Sequence, residues 1–288
     1  MKKNSKLWFW MFVGPILAAF LIVVILPLIQ GIYYSFTDWN GISDEVNFVG
    51  FKNYMKVFTD EEYRHAFIFT FKFALASVIS INLIGFGLAL LVTRKVKGAN
   101  ILRSIFFMPN LIGGLILGFV WQFIFVKVFA AIGDATGIAF FQGWLSTTAT
   151  GFWGLVILMA WQMSGYMMII YIAALQNIPE SLIEASKIDG ANAFDRLKHI
   201  ILPMVMPAFT VGMFLSLANS FKLFDQNLAL TGGGPFGSTE MLALDIYKTA
   251  FTRNDLGFAQ AKGVIFLLVV AAITFTQMYY SKRKEVEM

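Results

Sequence analysis

The sequence predicts an all-α membrane protein of six transmembrane helices with both termini in the cytoplasm. Three observations predict it. The 288 residues are 58% hydrophobic and 14% charged, with a mean hydropathy of +0.71, whereas soluble domains are about 45–50% apolar and about 25% charged. Six apolar runs each reach the roughly 20 residues that cross a ~30 Å hydrocarbon core. The basic residues gather in alternate connections between those runs.

The runs fall at about 7–34, 66–93, 104–129, 151–176, 204–230 and 262–280, within a single domain over 1–288. The first follows MKKNSK, the start of many signal peptides, but it continues to Tyr34 with no small-residue cleavage site and reads as a retained span. Several runs exceed the minimum length, so tilt or protruding ends are expected. Within them, Lys72 and Lys127 read as snorkelling cations, Asn82 as packing, and Gly114-x-x-x-Gly118 as a close helix contact. The connection 36–63 is polar, and 231–257 opens with Gly232-Gly233-Gly234-Pro235, which forbids a helix. That glycine run is no phosphate loop, because no Gly-Lys-Ser/Thr follows it.

Charge sets the orientation. Lys2, Lys3 and Lys6, then Arg94, Lys95, Lys97 and Arg103, then Lys187, Arg196 and Lys198, and finally Lys282, Arg283 and Lys284 place thirteen cations on one face. Lys52, Lys56, Arg64, Lys248 and Arg253 place five on the other. The richer face is cytoplasmic. The net charge of +5 therefore reports membrane topology, and no nucleic-acid partner is expected.

The cytoplasmic connection 177–203 is far longer than two spans need. Pro179 suits the first turn of a helix that carries Leu182, Ile183 and Ile188, with Glu180 and Glu184 complementing its N-terminal dipole. Asp189-Gly190 ends that helix, glycine being able to take positive φ. Asn192 caps a second helix in which Phe194, Leu197, Ile200 and Ile201 recur at helical spacing. Pro203 and Pro207 then start the next span. The product is a helix-turn-helix bracket with one apolar edge, the form of a docking surface. An amphipathic helix lying on lipid is the other reading, but it needs neither the Asp-Gly break nor paired prolines.

The residues Glu184-Ala185-Ser186, Asp189-Gly190-Ala191 and Ile200-x-Leu202-Pro203 resemble the EAA loop of ABC importer permeases. Ser186 stands where that family usually has alanine. Leu175-Gln176-Asn177-Ile178-Pro179 resembles the family's lead-in, and Arg103, Phe107, Pro109 and Trp121 its third-span pattern. Phe224, Asp225, Leu230, Thr231, Gly233, Gly234, Pro235, Ser238, Thr239, Ile246, Tyr247, Ala250 and Phe251 resemble the sugar-permease branch, of maltose-F or glycerol-3-phosphate-A type. The maltose-F protein has extra N-terminal spans and a large external insertion that are missing here, so the chain looks closer to the six-span oligosaccharide and glycerol-3-phosphate permeases. The resemblance implies a type I importer permease fold in the inner or plasma membrane. It implies a second, related permease, two cytosolic ATPase domains that bind the ATP, and an extracytoplasmic solute-binding protein. It also makes the nine motif residues the contact with the ATPase.

Polar residues inside spans are costly and mark candidate pathways. Gln162, Gly165 and Tyr166 in the fourth span, with Ser216, Asn219 and Lys222 in the fifth, offer the amides, hydroxyls and aromatic face that a sugar needs. Ser, Asn and Gln also mediate span packing, and Lys222 could pair with Asp225, so both readings stand. With no cysteine and only two histidines, neither a metal site nor a thiol nucleophile is expected. There is no Walker lysine and no enzyme constellation, and the chain is expected to hold no cofactor. A self-contained secondary transporter would call for carboxylates at the membrane centre, and the one in the central runs, Asp225, lies near the outer end of the fifth. The resemblance implies an importer permease moving a carbohydrate, and a pathway with Lys222 as its one evident cation puts an oligosaccharide ahead of glycerol phosphate.

Overall fold

The computed structural model describes residues 3–43, 45–93 and 98–283, with backbone alone over 3–7. Lys2, Arg94, Lys95, Lys97 and Lys284, which enter the charge count, lie outside the described residues. Among those described, six helices are long and apolar enough to cross a membrane: Trp8–Tyr34, Glu61–Thr93, Gly114–Thr136, Thr148–Gln176, Ala193–Phe221 and Leu256–Lys282. They are called the first to sixth spans below.

The second, fourth and sixth spans begin where polar caps stand rather than where apolar runs begin. Asp60 Oδ1 accepts the N–H groups of Glu62 (3.0 Å) and Tyr63 (3.2 Å) and starts the second span. Thr147 and Thr150 form a reciprocal capping box ahead of the fourth. Asp255 Oδ1 accepts from Phe258 N–H at 3.3 Å and starts the sixth.

Two runs depart from their hydropathy limits. The run at 104–129 is broken: a helix Ala99–Phe107 passes into a 3₁₀ turn Met108–Leu111 that contains Pro109, and the third span restarts at Gly114. The fifth span begins at Ala193, ahead of both prolines, instead of at Pro203 or Pro207. A π turn, Leu197–Ile201, ends two residues before Pro203. The wider turn accommodates a ring that lacks an N–H and would crowd the carbonyl four residues earlier. The same device, Leu21–Ile25, precedes Pro27 in the first span. The fifth span ends at Phe221, and a separate short helix, Asp225–Leu230, follows. Lys222 and Asp225 therefore do not share a helix, and no ion pair joins them among the described residues.

The chain forms two compact units, one of Met1–Tyr63 with Ile246–Leu268 and one of Arg64–Asp245 with Val269–Met288. In the second, the core is built around the fourth span, whose most apolar window is 72% buried. Leu155, Leu158, Met167 and Tyr171 are fully buried there with Phe73 and Ile81 of the second span. Gly114 and Gly118 do mark a close contact. Cβ atoms at those positions would lie 2.8 Å from Asp225 Cβ and 2.5 Å from Ala229 Cβ, so they admit the helix Asp225–Leu230. In the first unit, the first span exposes its apolar side chains, none of its most apolar window being buried. A short helix, Lys52–Thr59, packs at its end.

Candidate functional site

Two features of the second unit answer to the residues singled out by sequence. The first is the bracket 177–203. The helix Glu180–Ile188 has Pro179 at its N-cap, and Glu180 is its first-turn acid. Glu184 stands one turn further in, where the dipole acts weakly. It is exposed, and among the described residues it makes no ion pair within the chain. Three backbone bonds close the helix: Asp189 N–H to Ala185 O (3.0 Å), Gly190 N–H to Lys187 O (3.2 Å) and Ala191 N–H to Ser186 O (2.9 Å). They require Gly190 at φ +77°, a conformation that favours glycine. Asn192 Oδ1 then accepts from Phe194 N–H (2.8 Å) and Asp195 N–H (3.0 Å) and opens the next helix.

The bracket's surface is uneven. Ala185, Asp189 and Gly190 are exposed, whereas Ser186 is buried and donates to Ile183 O at 2.7 Å. Ala191, Ile200, Leu202 and Pro203 are half-buried. On either side of the turn in sequence, Ile188 and Phe194 are 86% and 67% exposed.

The second feature is a cleft of about 180 Å³ into which Asn110, Gln162, Asn219, Lys222 and Gln226 converge, with Met159 and Met163 on its wall. Both helix breaks contribute to it. Asn110 comes from the 3₁₀ turn that interrupts the third run, Lys222 from the interruption after the fifth span, and Gln226 from the first turn of the helix beyond it. Non-helical backbone at membrane depth is tolerated where it is buried in protein or lines a water-filled cavity. Gln162 ties the two breaks together, donating from Nε2 to Ile112 O (3.3 Å) and accepting at Oε1 from Gln226 Nε2 (2.8 Å). Asn219 donates back to Leu215 O at 2.8 Å.

The structure thus brings together Gln162, Asn219 and Lys222, and it puts other candidates elsewhere. Gly165 lies in a helix contact: a Cβ there would sit 1.8 Å from the carbonyl oxygen of Phe106. Ser216 is fully buried. Its Oγ donates to Gly212 O (2.7 Å) and accepts from Asn82 Nδ2 (2.9 Å), while Tyr171 Oη donates to Asn82 Oδ1. That node joins the second, fourth and fifth spans, and Asn82 is a packing residue as expected. Tyr166 is half-buried with its ring 6.5 Å from that of Phe107. Small and hydroxyl side chains serve helix contact as readily as solvation, which is why their spacing alone could not sort them.

Asn110 and Gln226 escaped the sequence reading because both sat in stretches taken as continuous spans. Pro109 beside Gly113-Gly114, and a Lys222–Asp225 charge pair at a span end, are the signals that could have found them. Asn227 escaped for the same reason. Fully buried, it donates from Nδ2 to Thr239 O (2.9 Å) and Thr231 Oγ1 (3.0 Å) and accepts Met241 N–H at Oδ1 (3.1 Å). It pins the loop whose Gly232 and Gly233 take positive φ.

Comparison with known proteins adds the following. Residues 53–286 match the model of the binding-protein-dependent transport system inner membrane component. A probable starch degradation products transport system permease protein, AmyD, of Thermoanaerobacterium thermosulfurigenes is 55% identical over 99% of this chain and 97% of its own length. The multiple sugar-binding transport system permease protein MsmF of Streptococcus mutans is 32% identical over 99% of each. Among solved structures, a chain of a bacterial ABC transporter that imports the acidic polysaccharide alginate superposes with a TM-score of 0.83. It covers 97% of this chain and 96% of its own at 19% identity, a likeness of fold.

Proposed function

The chain belongs to the binding-protein-dependent transport system inner membrane components, and from that membership we propose that it translocates a carbohydrate, an oligosaccharide, into the cytoplasm. It is a multi-pass membrane transport component and not an enzyme. One element carries the reading. The 29-residue helix Ala193–Phe221 starts at the Asn192 cap beside the Gly190 turn and ends at the cleft with Asn219 and, at its C-cap, Lys222. With its π turn at Leu197–Ile201 and with Pro203 and Pro207 inside it, this one element joins the bracket to the cleft, and in this reading it carries the motion of one to the other.

In this reading 1–288 is one permease domain with both termini and the bracket in the cytoplasm. A second, related permease supplies the other half of the pathway. Two cytosolic ATPase domains bind and hydrolyse the ATP, and an extracytoplasmic solute-binding protein delivers the sugar. The exposed turn, with Ile188, Phe194 and the Glu184 carboxylate, docks into an ATPase, and closure of the ATPases switches the spans between inward-open and outward-open. The cleft favours a neutral sugar. Its amides match hydroxyl groups, and Lys222 is the single cation among the described residues that line it, whereas phosphate is better met by the forked donors of arginine.

Two substitutions test the coupling. Gly190→Pro removes the N–H that bonds Lys187 O and cannot adopt φ +77°, and Glu184→Lys reverses an exposed charge on the docking face. Uptake of labelled maltooligosaccharide into vesicles holding the full transporter should be lost in both, with the permease still inserted and the ATPase no longer co-purifying with it. Normal uptake and ATPase retention in both variants would remove the assignment.

Asn219→Leu tests the cleft. It withdraws hydrogen bonds worth on the order of 0.5–1.5 kcal/mol each, so transport per assembled complex should fall several-fold to about tenfold, 1.4 kcal/mol being a factor of ten. Basal ATPase activity should persist. A purely packing role would instead lower the yield of complex at unchanged transport per complex.

A further inference from the structure

The helix Lys52–Thr59 is placed at a membrane boundary by contacts at both ends. Near its N-terminus, Asn53 Nδ2 donates to the carbonyls of Ser35 (3.0 Å) and Thr37 (2.7 Å), immediately after the first span ends at Tyr34. At its C-terminus, Thr59 is followed at once by Asp60, which caps the second span. Between the two, Lys56 Nζ binds Asp255 Oδ2 at 2.9 Å and lies 3.8 Å from the ring centroid of Phe258, at the start of the sixth span. Three span ends therefore fix one helix of about 12 Å at their common level.

Its two faces differ sharply. Asn53 and Val57 are buried against the protein. Phe51, Met55 and Phe58, at i, i+4 and i+7, point outward with exposures of 69%, 64% and 78%. Phe48, tied to Thr37 by an antiparallel bridge, extends the same strip at 72%. The aromatic rings of Phe36, Phe48, Phe51 and Tyr54 cluster there, with Phe36 5.3 Å from Phe51 and 5.2 Å from Tyr54, and Tyr34 stacks on Trp39 at 4.3 Å. A strip of this size facing water would cost the transfer free energy of four large side chains. Amphipathic helices at span ends satisfy such a strip by sinking it to the boundary between headgroups and acyl chains.

We propose that the strip Phe48–Phe51–Met55–Phe58 is a lipid-facing interfacial anchor, seated in the leaflet at which the first span ends and the second and sixth begin. Its apolar surface continues that of the first span, whose side chains are already exposed along the membrane. The anchor holds the loop 36–60 down on the bilayer and so fixes the level at which the second and sixth spans start.

The chain has no cysteine, so one introduced thiol is unique within it. Phe51→Cys, Met55→Cys and Phe58→Cys are spin-labelled one at a time in the assembled transporter, with cysteine-free partner subunits, in nanodiscs of phosphatidylethanolamine and phosphatidylglycerol. Collision with oxygen and with a water-soluble nickel chelate is then measured. The anchor predicts that at all three sites the oxygen effect exceeds the nickel effect, as at a label on the exposed face of the first span. A dominant nickel effect would show a solvated helix. Low accessibility to both reagents would show that a protein partner covers it. Either result overturns the proposal, and neither bears on whether the chain carries sugar.

Discussion

Gly165→Ala is expected to prevent the permease from assembling, although it adds one methyl group. The new Cβ would stand 1.8 Å from the carbonyl oxygen of Phe106, 2.4 Å from its carbon and 2.9 Å from the nitrogen of Phe107. All three are backbone atoms, so no side-chain rotation relieves the clash, and the helix Ala99–Phe107 must move off the fourth span. Overpacking of a core costs typically 1–3 kcal/mol, and a backbone clash belongs at the upper end of that range. The fourth span is the buried centre of its unit, and Gln162, less than one turn from Gly165, links the two breaks that form the cleft. Gly87→Ala is the control. Nothing lies within 4 Å of its added Cβ, and replacing a mid-helix glycine should be neutral or stabilising by up to about 1 kcal/mol. The yield of monodisperse protein and its melting temperature decide the matter. Wild-type values for Gly165→Ala would mean that the two helices are not in contact in the membrane.

The contrast between those glycines explains what could be read in the sequence. The six spans were legible because burial in lipid writes itself as long apolar runs, and the turn at Asp189-Gly190-Ala191-Asn192 was legible because its geometry is local. The true helix starts were not, because Asp60, Thr147 and Asp255 cap helices outside the apolar runs, where hydropathy is blind. The break at Pro109–Gly113 was hidden for the opposite reason, its residues being apolar enough to pass as span. The cleft was half legible. Amides such as Gln162 and Asn219 stood out as costly, but whether Gly165 or Ser216 faces a cavity or a neighbouring helix depends on rotation about the helix axis, which is a tertiary fact. Lys222 and Gln226 became neighbours in the cleft only once the fifth span was seen to stop at Phe221.

Asp60→Asn is expected to cost at least as much as the glycine change, through charge rather than volume. Lys262 is fully buried in the sixth span; its Nζ lies 2.9 Å from Asp60 Oδ2 and donates to Thr249 Oγ1 at 3.0 Å, with the ring of Phe258 4.7 Å away. The carboxylate divides its work, Oδ1 capping the second span while Oδ2 holds the lysine. Asparagine keeps the cap, since its oxygen serves equally well, but removes a carboxylate charge 2.9 Å from a buried ammonium. Breaking a buried pair from one side costs about 3–5 kcal/mol. The double variant Asp60→Asn/Lys262→Met should recover most of that, because the buried ammonium is removed together with the carboxylate that faces it. Acid should mimic the substitution. Burial alone would raise the Asp60 pKa, yet the hydrogen bond and charge of Lys262 and the amides of Tyr63 and Glu62 outweigh it and hold the carboxyl below its ordinary value. A depressed pKa in the folded state means stability that is present above the unfolded value of about 3.9 and lost as pH falls through the folded one. The melting-temperature gap between wild type and Asp60→Asn should therefore be full at neutral pH and close below about pH 4. A gap that ignores pH, or a double variant no more stable than the single, would show that the pair does not hold the second span to the sixth.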